Sequence, residues 1–373
     1  MHGRERPAWL RRILPLKRVN PDRNSPIGST GGSAPRGHPE FLPWYLRQTA
    51  RVPIPWLLWS LAATSFLGWR IAWETRLCPA PVSRPARNYG EALARLASIQ
   101  AAESTLPLHP VCRTQFLDHG RPTPRAVVLL HGFTNCPHQF HLLARECFER
   151  GNNVLIPRLP RHGLATRLPT ALARLTAEEA AAATTAALDI ARGLGEEVLL
   201  LGFSFGGVLA GWAAQHRGDL ARAVLVSPAF GLGAIPQSLT PLAAHLFALW
   251  PNTQRWWDPV QRERAPGPDH AYAGYASRGV ATLLRLSLLV QRAARRRPPA
   301  TRSITLVTNP CDRTVRNEVA LQVATWWQGH GASVQHRPFP AEWQLIHDLM
   351  DPAQPLQQVQ RVYPILLEAL LPA

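Results

Sequence analysis

The sequence predicts an α/β fold built on a doubly wound, mostly parallel sheet. Fully apolar runs occur at Ala126–Leu130 and Val198–Leu201, and a strand without polar alternation is typical of a sheet that is buried on both faces. Helical patterns separate such runs at short intervals, as expected for parallel strands joined by helices. With 373 residues, the chain can hold one large domain and a smaller additional segment.

The chain is strongly basic, with a formal net charge of +17. Such a charge is common in proteins that bind nucleic acid or anionic membranes. However, every basic residue except Lys17 is an arginine, and the arginines are scattered along the chain. We therefore interpret the charge as compositional bias and predict no nucleic-acid partner. The five cysteines contain no C-x-x-C pair and no zinc-ligand spacing, so we predict neither a metal nor a cofactor.

The N-terminal part differs in composition from the rest. Residues 1–51 are rich in Arg, Pro, Gly and Ser and are predicted to form a disordered basic tail. Residues 52–73 contain Arg70 as their one ionisable side chain, and are about long enough for a transmembrane helix. The positive-inside rule then leaves the tail in the cytoplasm and the folded domain outside it. The alternative is a buried or interfacial helix, because Pro53 and Pro55 shorten the run.

The remaining sequence is divided by changes in pattern. Residues 74–104 are predicted to be a linker and a short helix, followed by one domain at 105–373. Within this domain, residues 231–300 lose the strand pattern and become rich in Pro and Trp. We expect a helical lid there, above the carboxyl edge of the sheet. Its apolar side chains either line a non-polar channel or pack the lid on itself.

A G-x-S-x-G pattern follows the apolar run at Val198. It comprises Gly202–Gly206, with Ser204 at its centre. The pattern is typical of a strained turn between a strand and a helix that exposes the serine hydroxyl, and the flanking glycines make room for this turn. The N-terminus of the helix that follows directs free N–H groups toward the same point. Ser204 is therefore a candidate nucleophile.

Backbone donors for a developing oxyanion can also be located. The strand Ala126–Leu130 ends in His131-Gly132-Phe133, in a loop that can return beneath the serine turn. We predict that the backbone N–H groups of Phe133 and Phe205 form an oxyanion hole. We interpret His131 as a residue that braces this loop rather than one that transfers protons.

A serine hydroxyl near neutral pH needs a neutral imidazole, and that imidazole needs a carboxylate on its other nitrogen. Asp312 lies in the loop after the strand Ile304–Thr308, and His347 lies in the loop after the last predicted strand. Their order after Ser204 suits such a triad. Other histidines and acids are weaker candidates, because they fall on helix starts, a helix end, a strand or the predicted surface: His138, His141, His330, His336, Asp348 and Asp351.

Over Arg125–Leu371, the motifs LLHGF, PRLPRHG, GFSFGG, VTNPCDRTV and LIHD resemble the α/β-hydrolase family in order and spacing. The similarity is to monoacylglycerol lipase-like and carboxylesterase-like members. It implies an α/β-hydrolase fold and a serine hydrolase that cleaves small carboxylic esters through an acyl-enzyme. The apolar side chains of the expected lid favour an apolar acyl chain. The resemblance also implies that Ser204 is the nucleophile, Asp312 the acid and His347 the base. The backbone N–H groups of Phe133 and Phe205 are the implied oxyanion donors. Two alternatives stay open, an acyltransferase with the same triad and a catalytically silent binding protein.

Cys112 and Cys136 both flank the predicted site loops. If the domain lies outside the cytoplasm, a disulfide between them is conceivable. The alternative is a pair of free, buried thiols.

Overall fold

A seven-stranded sheet lies at the centre of the structure, a computed structural model that describes residues 58–61, 63–65, 68, 77 and 81–371. Its strands are β1 Gln115–Leu117, β2 Thr123–Leu130, β3 Asn153–Ile156, β4 Gly195–Phe203, β5 Leu220–Val226, β8 Ser303–Thr308 and β9 Ser333–Pro338, and a separate antiparallel pair is β6 Gln254–Trp256 and β7 Gly274–Ala276. The order in the large sheet is β1-β3-β2-β4-β5-β8-β9. All its neighbouring strands are parallel except β1, which is antiparallel to β3. The predicted mostly parallel sheet is confirmed.

Helices cover both faces of this sheet. They are α1 Tyr89–Ser104, α2 His141–Glu149, α3 Ala177–Leu194, α4 Phe205–His216, α5 Thr240–Leu249, α6 Ser277–Arg296, α7 Asn317–Gly329 and α8 Val359–Leu370. One apolar core contains residues of α1, α3, α4, α6 and α7, and the other contains residues of α2 and α8. Alternate residues of β2 enter different cores: Val128 enters the first and Val127 the second. This arrangement explains why the strand shows no polar alternation.

The start of α3 shows how the sequence defines a helix boundary. Thr176 is its N-cap, and its hydroxyl accepts a hydrogen bond from the backbone N–H of Glu179 at 3.1 Å. The Glu179 carboxylate in turn accepts the backbone N–H of Thr176. This reciprocal capping box satisfies two N–H groups that the helix leaves free.

The region predicted as a lid, residues 231–300, is more varied than its sequence pattern indicated. It contains the short strands β6 and β7, where we expected none. Helix α6 also belongs to this region, but it packs into the same core as α4 and α7 through Leu284, Leu286 and Val290. A helix that buries so much apolar surface is part of the helical layer beside the sheet. We call the remainder, residues 231–276, the inserted segment.

Several large apolar side chains of the inserted segment face outward. Helix α5 packs its Thr240 and Ala244 side chains inward and turns its leucines outward. The exposed side chains are Leu239, Leu242, Leu246, Leu249, Trp250 and Trp257. Of these, Trp257 packs within the segment, with its ring centroid 4.8 Å from that of Tyr275. For the other five, the expectation that they pack the segment on itself was wrong, and the expected non-polar channel stays a prediction.

The predicted tail, residues 1–51, lies outside the described residues, and so does most of the predicted span at 52–73. Within that span, residues 58–61, 63–65 and 68 are described and helical. In the part of the chain that the structure describes, no helix is both long and apolar enough to cross a membrane.

Two glycines allow the turn between β4 and α4 to pack closely. A methyl group on Gly202 would overlap the carbonyl group of Gly206, and one on Gly206 would overlap the carbonyl oxygen of Leu130 at the end of β2. The turn can therefore lie directly against the neighbouring strand only because neither residue has a side chain.

Gly206→Ala tests this packing. Because the new methyl group meets backbone atoms that cannot rotate away, we expect the free energy of unfolding to fall by about 3 kcal/mol, measured by urea unfolding. Gly218→Ala is the matched control, since its methyl group would lie 3.7 Å from the carbonyl oxygen of Ala300. Equal stability of the two variants would contradict the proposed steric constraint.

Candidate active site

Ser204 has a backbone conformation that side chains rarely adopt. Its φ is 54° and its ψ is −108°, which costs on the order of 1–3 kcal/mol for a residue other than glycine. Hydrogen bonds hold it in place: its N–H donates to the Val226 carbonyl at 3.0 Å, and its carbonyl accepts the Ala229 N–H at 3.1 Å. The strained turn directs the hydroxyl away from the sheet, as the sequence pattern predicted.

The side chains of Ser204, His347 and Asp312 form one chain of hydrogen bonds. The distance from Ser204 Oγ to His347 Nε2 is 3.0 Å, and that from His347 Nδ1 to Asp312 Oδ2 is 2.6 Å. Because an ionised carboxylate only accepts hydrogen bonds, Nδ1 carries the imidazole proton. Nε2 is then free to accept the serine proton.

The Asp312 carboxylate is held by its own loop. Its Oδ1 accepts the backbone N–H groups of Thr314 at 2.8 Å and Val315 at 3.1 Å. Its side chain is fully buried, whereas 19% of the His347 side chain is exposed. The carboxylate therefore stays in position while the imidazole remains accessible from the substrate side.

The two predicted oxyanion donors are present and free. Phe205 is the first residue of α4, so its N–H has no partner within the helix. Among the described residues, neither this N–H nor that of Phe133 donates to a protein acceptor. The rings of the two phenylalanines are in contact, with their centroids 5.6 Å apart and tilted by 73°.

Comparison with protein families agrees with this geometry. Residues 127–355 match the model of the "Alpha/beta hydrolase family", which is more than half of the 373-residue chain. The chain belongs to the alpha/beta hydrolase family. Among curated proteins, it is similar to a thermostable monoacylglycerol lipase of Bacillus sp. (strain H-257), with 30% identity over 117 residues. That match spans 31% of this chain and about half of the relative, 46% of its length.

Solved structures of lipolytic enzymes are similar to this chain in fold. One, from work on the metagenome-derived enzymes LipS and LipT, has a TM-score of 0.54 and 17% identity, covering 70% of this chain and 97% of its own. A monoacylglycerol lipase of Paleococcus ferrophilus has a TM-score of 0.52 and 18% identity, covering 69% and 97%. At these identities, the likeness shows a common fold and does not extend to substrate.

His131 orients the peptide unit that carries the Phe133 N–H. Its Nε2 accepts the Leu159 N–H at 3.1 Å, so Nδ1 carries the proton and donates to the Gly132 carbonyl at 3.0 Å. The Gly132 C=O and the Phe133 N–H belong to one trans peptide unit and point in opposite directions. Holding the carbonyl therefore aims the N–H. Burial, helped by nearby His162 and Arg158, lowers the pKa of His131 well below its usual value and keeps it neutral.

The weaker candidates do not contact Ser204. His336 bonds to Thr308 within the sheet, and His330 is exposed at the end of α7. His138 and His141 stack on each other, with ring centroids 4.1 Å apart. Asp351 differs from the expectation of a surface acid, because it is completely buried.

A buried polar cluster beside the site was not predicted from the sequence. It consists of Asn135, Gln139, His270, Asp348 and Asp351. These residues come from three distant stretches of the chain, and of them Asp348 alone lies in one of the motifs named above, LIHD, so the fold brings them together. Among the described residues, no group of three or more His, Cys, Asp and Glu side chains could hold a metal ion.

Cys112 and Cys136 are joined by a disulfide, with their Cα atoms 5.3 Å apart. This bond ties the loop that carries Phe133 to the segment before β1. The backbone N–H of Cys136 also donates to the Asn135 side chain at 2.8 Å. The loop is thus fixed covalently at one end and by hydrogen bonds along its length.

His162, beside His131, provides a test of the buried imidazoles. Burial lowers the pKa of His162 from 6.5 to about 4. Between these values, the unfolded chain binds more protons at this imidazole than the folded protein does. The contribution of His162 to the free energy of unfolding is therefore complete above pH 6.5 and is lost as the pH falls. His162→Asn keeps a donor for the Pro160 carbonyl. It should reduce the dependence of unfolding free energy on pH by up to about 1.4 kcal/mol per pH unit in this range.

The measurement is urea unfolding at several pH values from about 4 to 8. His330→Asn, at an exposed position, should leave the slope unchanged. A wild-type slope in His162→Asn would show that this imidazole does not resist protonation.

Proposed function

We propose that the protein is a serine hydrolase that cleaves carboxylic esters through an acyl-enzyme. Ser204 is the nucleophile, His347 the base, Asp312 the acid, and the N–H groups of Phe133 and Phe205 are the oxyanion donors. The observation that supports this most is the unbroken chain of hydrogen bonds from the Ser204 hydroxyl through His347 to Asp312. The lipolytic names of the relatives give it further support.

The reaction follows from these contacts. His347 Nε2 takes the Ser204 proton as Oγ attacks the ester carbonyl carbon, and the oxyanion accepts the two N–H groups. The imidazolium, stabilised by Asp312, then protonates the departing alcohol oxygen as its bond to carbon breaks. Water repeats the sequence on the acyl-enzyme, releasing the acid and restoring the serine.

We further propose an apolar acyl group. Aromatic residues adjoin the proposed catalytic groups: the Phe203 ring centroid lies 5.2 Å from that of His347, and the Phe133 and Phe205 rings contact each other. Pockets with mostly apolar walls and a few polar groups are typical of small-molecule sites. A screen of esters with graded acyl chains would define the preferred length.

Two alternatives use the same fold. An acyltransferase would pass the acyl group to an alcohol other than water, and product analysis with competing alcohols distinguishes it. A catalytically silent protein would leave Ser204 unlabelled by a fluorophosphonate probe.

Ser204→Ala is the direct test. Without a nucleophile, turnover of p-nitrophenyl esters should fall by at least about 10⁴-fold, while the melting temperature stays near that of the wild type. Ser333→Ala, at an exposed serine in β9, should keep full turnover. Unchanged turnover in Ser204→Ala would refute the proposed nucleophile.

We also propose membrane attachment through residues 52–73, with the hydrolase domain outside the cytoplasm. Among the described residues of this run, Leu58, Trp59 and Leu61 are exposed apolar side chains. The disulfide between Cys112 and Cys136 is in keeping with an oxidising compartment.

An alkaline phosphatase fusion after Pro81 tests this orientation. We expect an active phosphatase, since the enzyme needs disulfides that form outside the cytoplasm. A fusion after Ala50 is the control and should be inactive. A bright cytoplasmic signal from a fluorescent protein fused after Pro81 would contradict the orientation.

A further inference from the structure

Gln139 links the two loops that carry the proposed catalytic groups. It is 1% exposed and lies on a short 3₁₀ turn, Pro137–Phe140. Its Oε1 accepts the Gly132 N–H at 2.8 Å, and its Nε2 donates to Asp348 Oδ1 at 2.8 Å. One side chain therefore contacts the residue before Phe133 and the residue after His347.

Asp348 receives several neutral donors. Besides Gln139, its Oδ2 accepts Gln354 Nε2 at 2.7 Å and Asn135 Nδ2 at 3.3 Å. Asn135 also bonds to Asp351, and its own backbone N–H donates to the Gly132 carbonyl at 3.3 Å. The carboxylate is thus tied to the Phe133 loop from two directions.

We propose that Gln139 and Asp348 are positioning residues that hold the Phe133 N–H and the His347 imidazole in a fixed mutual arrangement. This inference rests on the proposed ester hydrolysis. Neither side chain touches the reacting atoms. Each acts through the backbone of the adjacent residue, and the Gln139 amide fixes the distance between the two loops.

The chemistry of the amide explains why glutamine suits this position. One end must accept an N–H from Gly132, and the other must donate to a carboxylate, and the neutral glutamine amide does both. A displacement of about 1 Å between a base and an oxyanion donor can cost on the order of 10²-fold in rate. Loss of the link should therefore lower kcat more than it changes KM.

The first experiment reverses the polarity of the link. In Gln139→Glu, two carboxylates face each other and can remain close only by sharing a proton. The ratio of its kcat to that of the wild type should fall as the pH rises, by up to about tenfold per pH unit above the pKa of the shared proton. In the double variant Gln139→Glu/Asp348→Asn, the asparagine amide donates to the new carboxylate, and the ratio should recover and become independent of pH.

Several titratable groups surround this pair. His347 and Asp351 lie on the same segment as Asp348, His270 contacts Asp351 from the inserted segment, and Tyr363 approaches from α8. His138, next to Gln139, lies against His270 with ring centroids 4.9 Å apart. None of these five groups changes in these variants. A pH dependence that appears in Gln139→Glu and disappears in the double variant is therefore due to the exchanged pair.

The second experiment separates positioning from stability. Gln139→Met removes both hydrogen bonds, and we expect kcat to fall by about 10²-fold with KM changed by less than about threefold. Gln215→Met is the matched control: Gln215 is equally buried and bonds Trp327 Nε1 and the Pro298 carbonyl at 2.8 Å each, away from the triad. It should lower the melting temperature similarly and leave kcat unchanged.

Outcomes for this proposal and for the proposed function can be distinguished. Suppose that the wild-type protein hydrolyses esters and its Ser204 reacts with a fluorophosphonate, but Gln139→Met keeps the wild-type kcat. The positioning role of Gln139 is then refuted, while the proposed hydrolase function stands. The positioning role is also refuted if kcat falls as much in Gln215→Met as in Gln139→Met. The same conclusion follows if Gln139→Glu/Asp348→Asn folds but is as inactive as Gln139→Glu. A wild type that neither hydrolyses esters nor reacts with the probe refutes the hydrolase and this inference together.

Discussion

The unfavourable backbone of Ser204 is the constraint on which the rest of the site depends. A residue at φ 54° stays there only if its surroundings offer no better arrangement. Here β5 accepts its N–H, α4 begins immediately after it, and the glycines on either side let the turn lie against β2. Each of these contacts depends on the arrangement of strands in the parallel sheet. The sheet therefore holds the hydroxyl at its carboxyl edge, the edge from which the loops of Phe133, Asp312 and His347 also leave.

The loops themselves are fixed by polar contacts of different kinds. The Asp312 side chain is held by backbone N–H groups of its own loop, so it stays oriented although it is fully buried. The Phe133 loop is held by a neutral imidazole, His131, and by a disulfide. Asp348 accepts hydrogen bonds from the amide side chains of Gln139, Gln354 and Asn135 and from the backbone N–H of Asp351, and its burial, together with nearby Asp351, raises its pKa. The carboxylates of Asp312 and Asp348 thus differ in their surroundings. Only Asp312 touches the imidazole.

Much of the fold could be predicted because a strand buried on both faces has to be apolar throughout. The apolar runs Ala126–Leu130 and Val198–Leu201 therefore predicted β2 and β4. The meeting of Ser204, Asp312 and His347 followed from topology, since loops after parallel strands share one edge. Three-residue strands such as β6 carry too little pattern to recognise. The outward face of α5 was missed because hydrophobicity alone does not tell which side of an apolar helix is packed. The Gln139 cluster depends on side-chain contacts across more than 200 residues, for which no local spacing exists.

Polar contacts hold the Phe133 and His347 loops in position better than apolar packing would, although burying polar groups costs free energy. Apolar side chains pack well at several offsets, so two loops in contact through methyl groups can slide with little loss of free energy. Hydrogen bonds depend steeply on distance and direction, and a buried group that loses its partner costs about 1–3 kcal/mol. The amide of Gln139 would lose its Gly132 donor if the Phe133 loop moved, and its Asp348 acceptor if the His347 loop moved. A triad needs its base and its oxyanion donor in one fixed relation, and a buried, directional link between their loops resists the small displacements that apolar contacts tolerate.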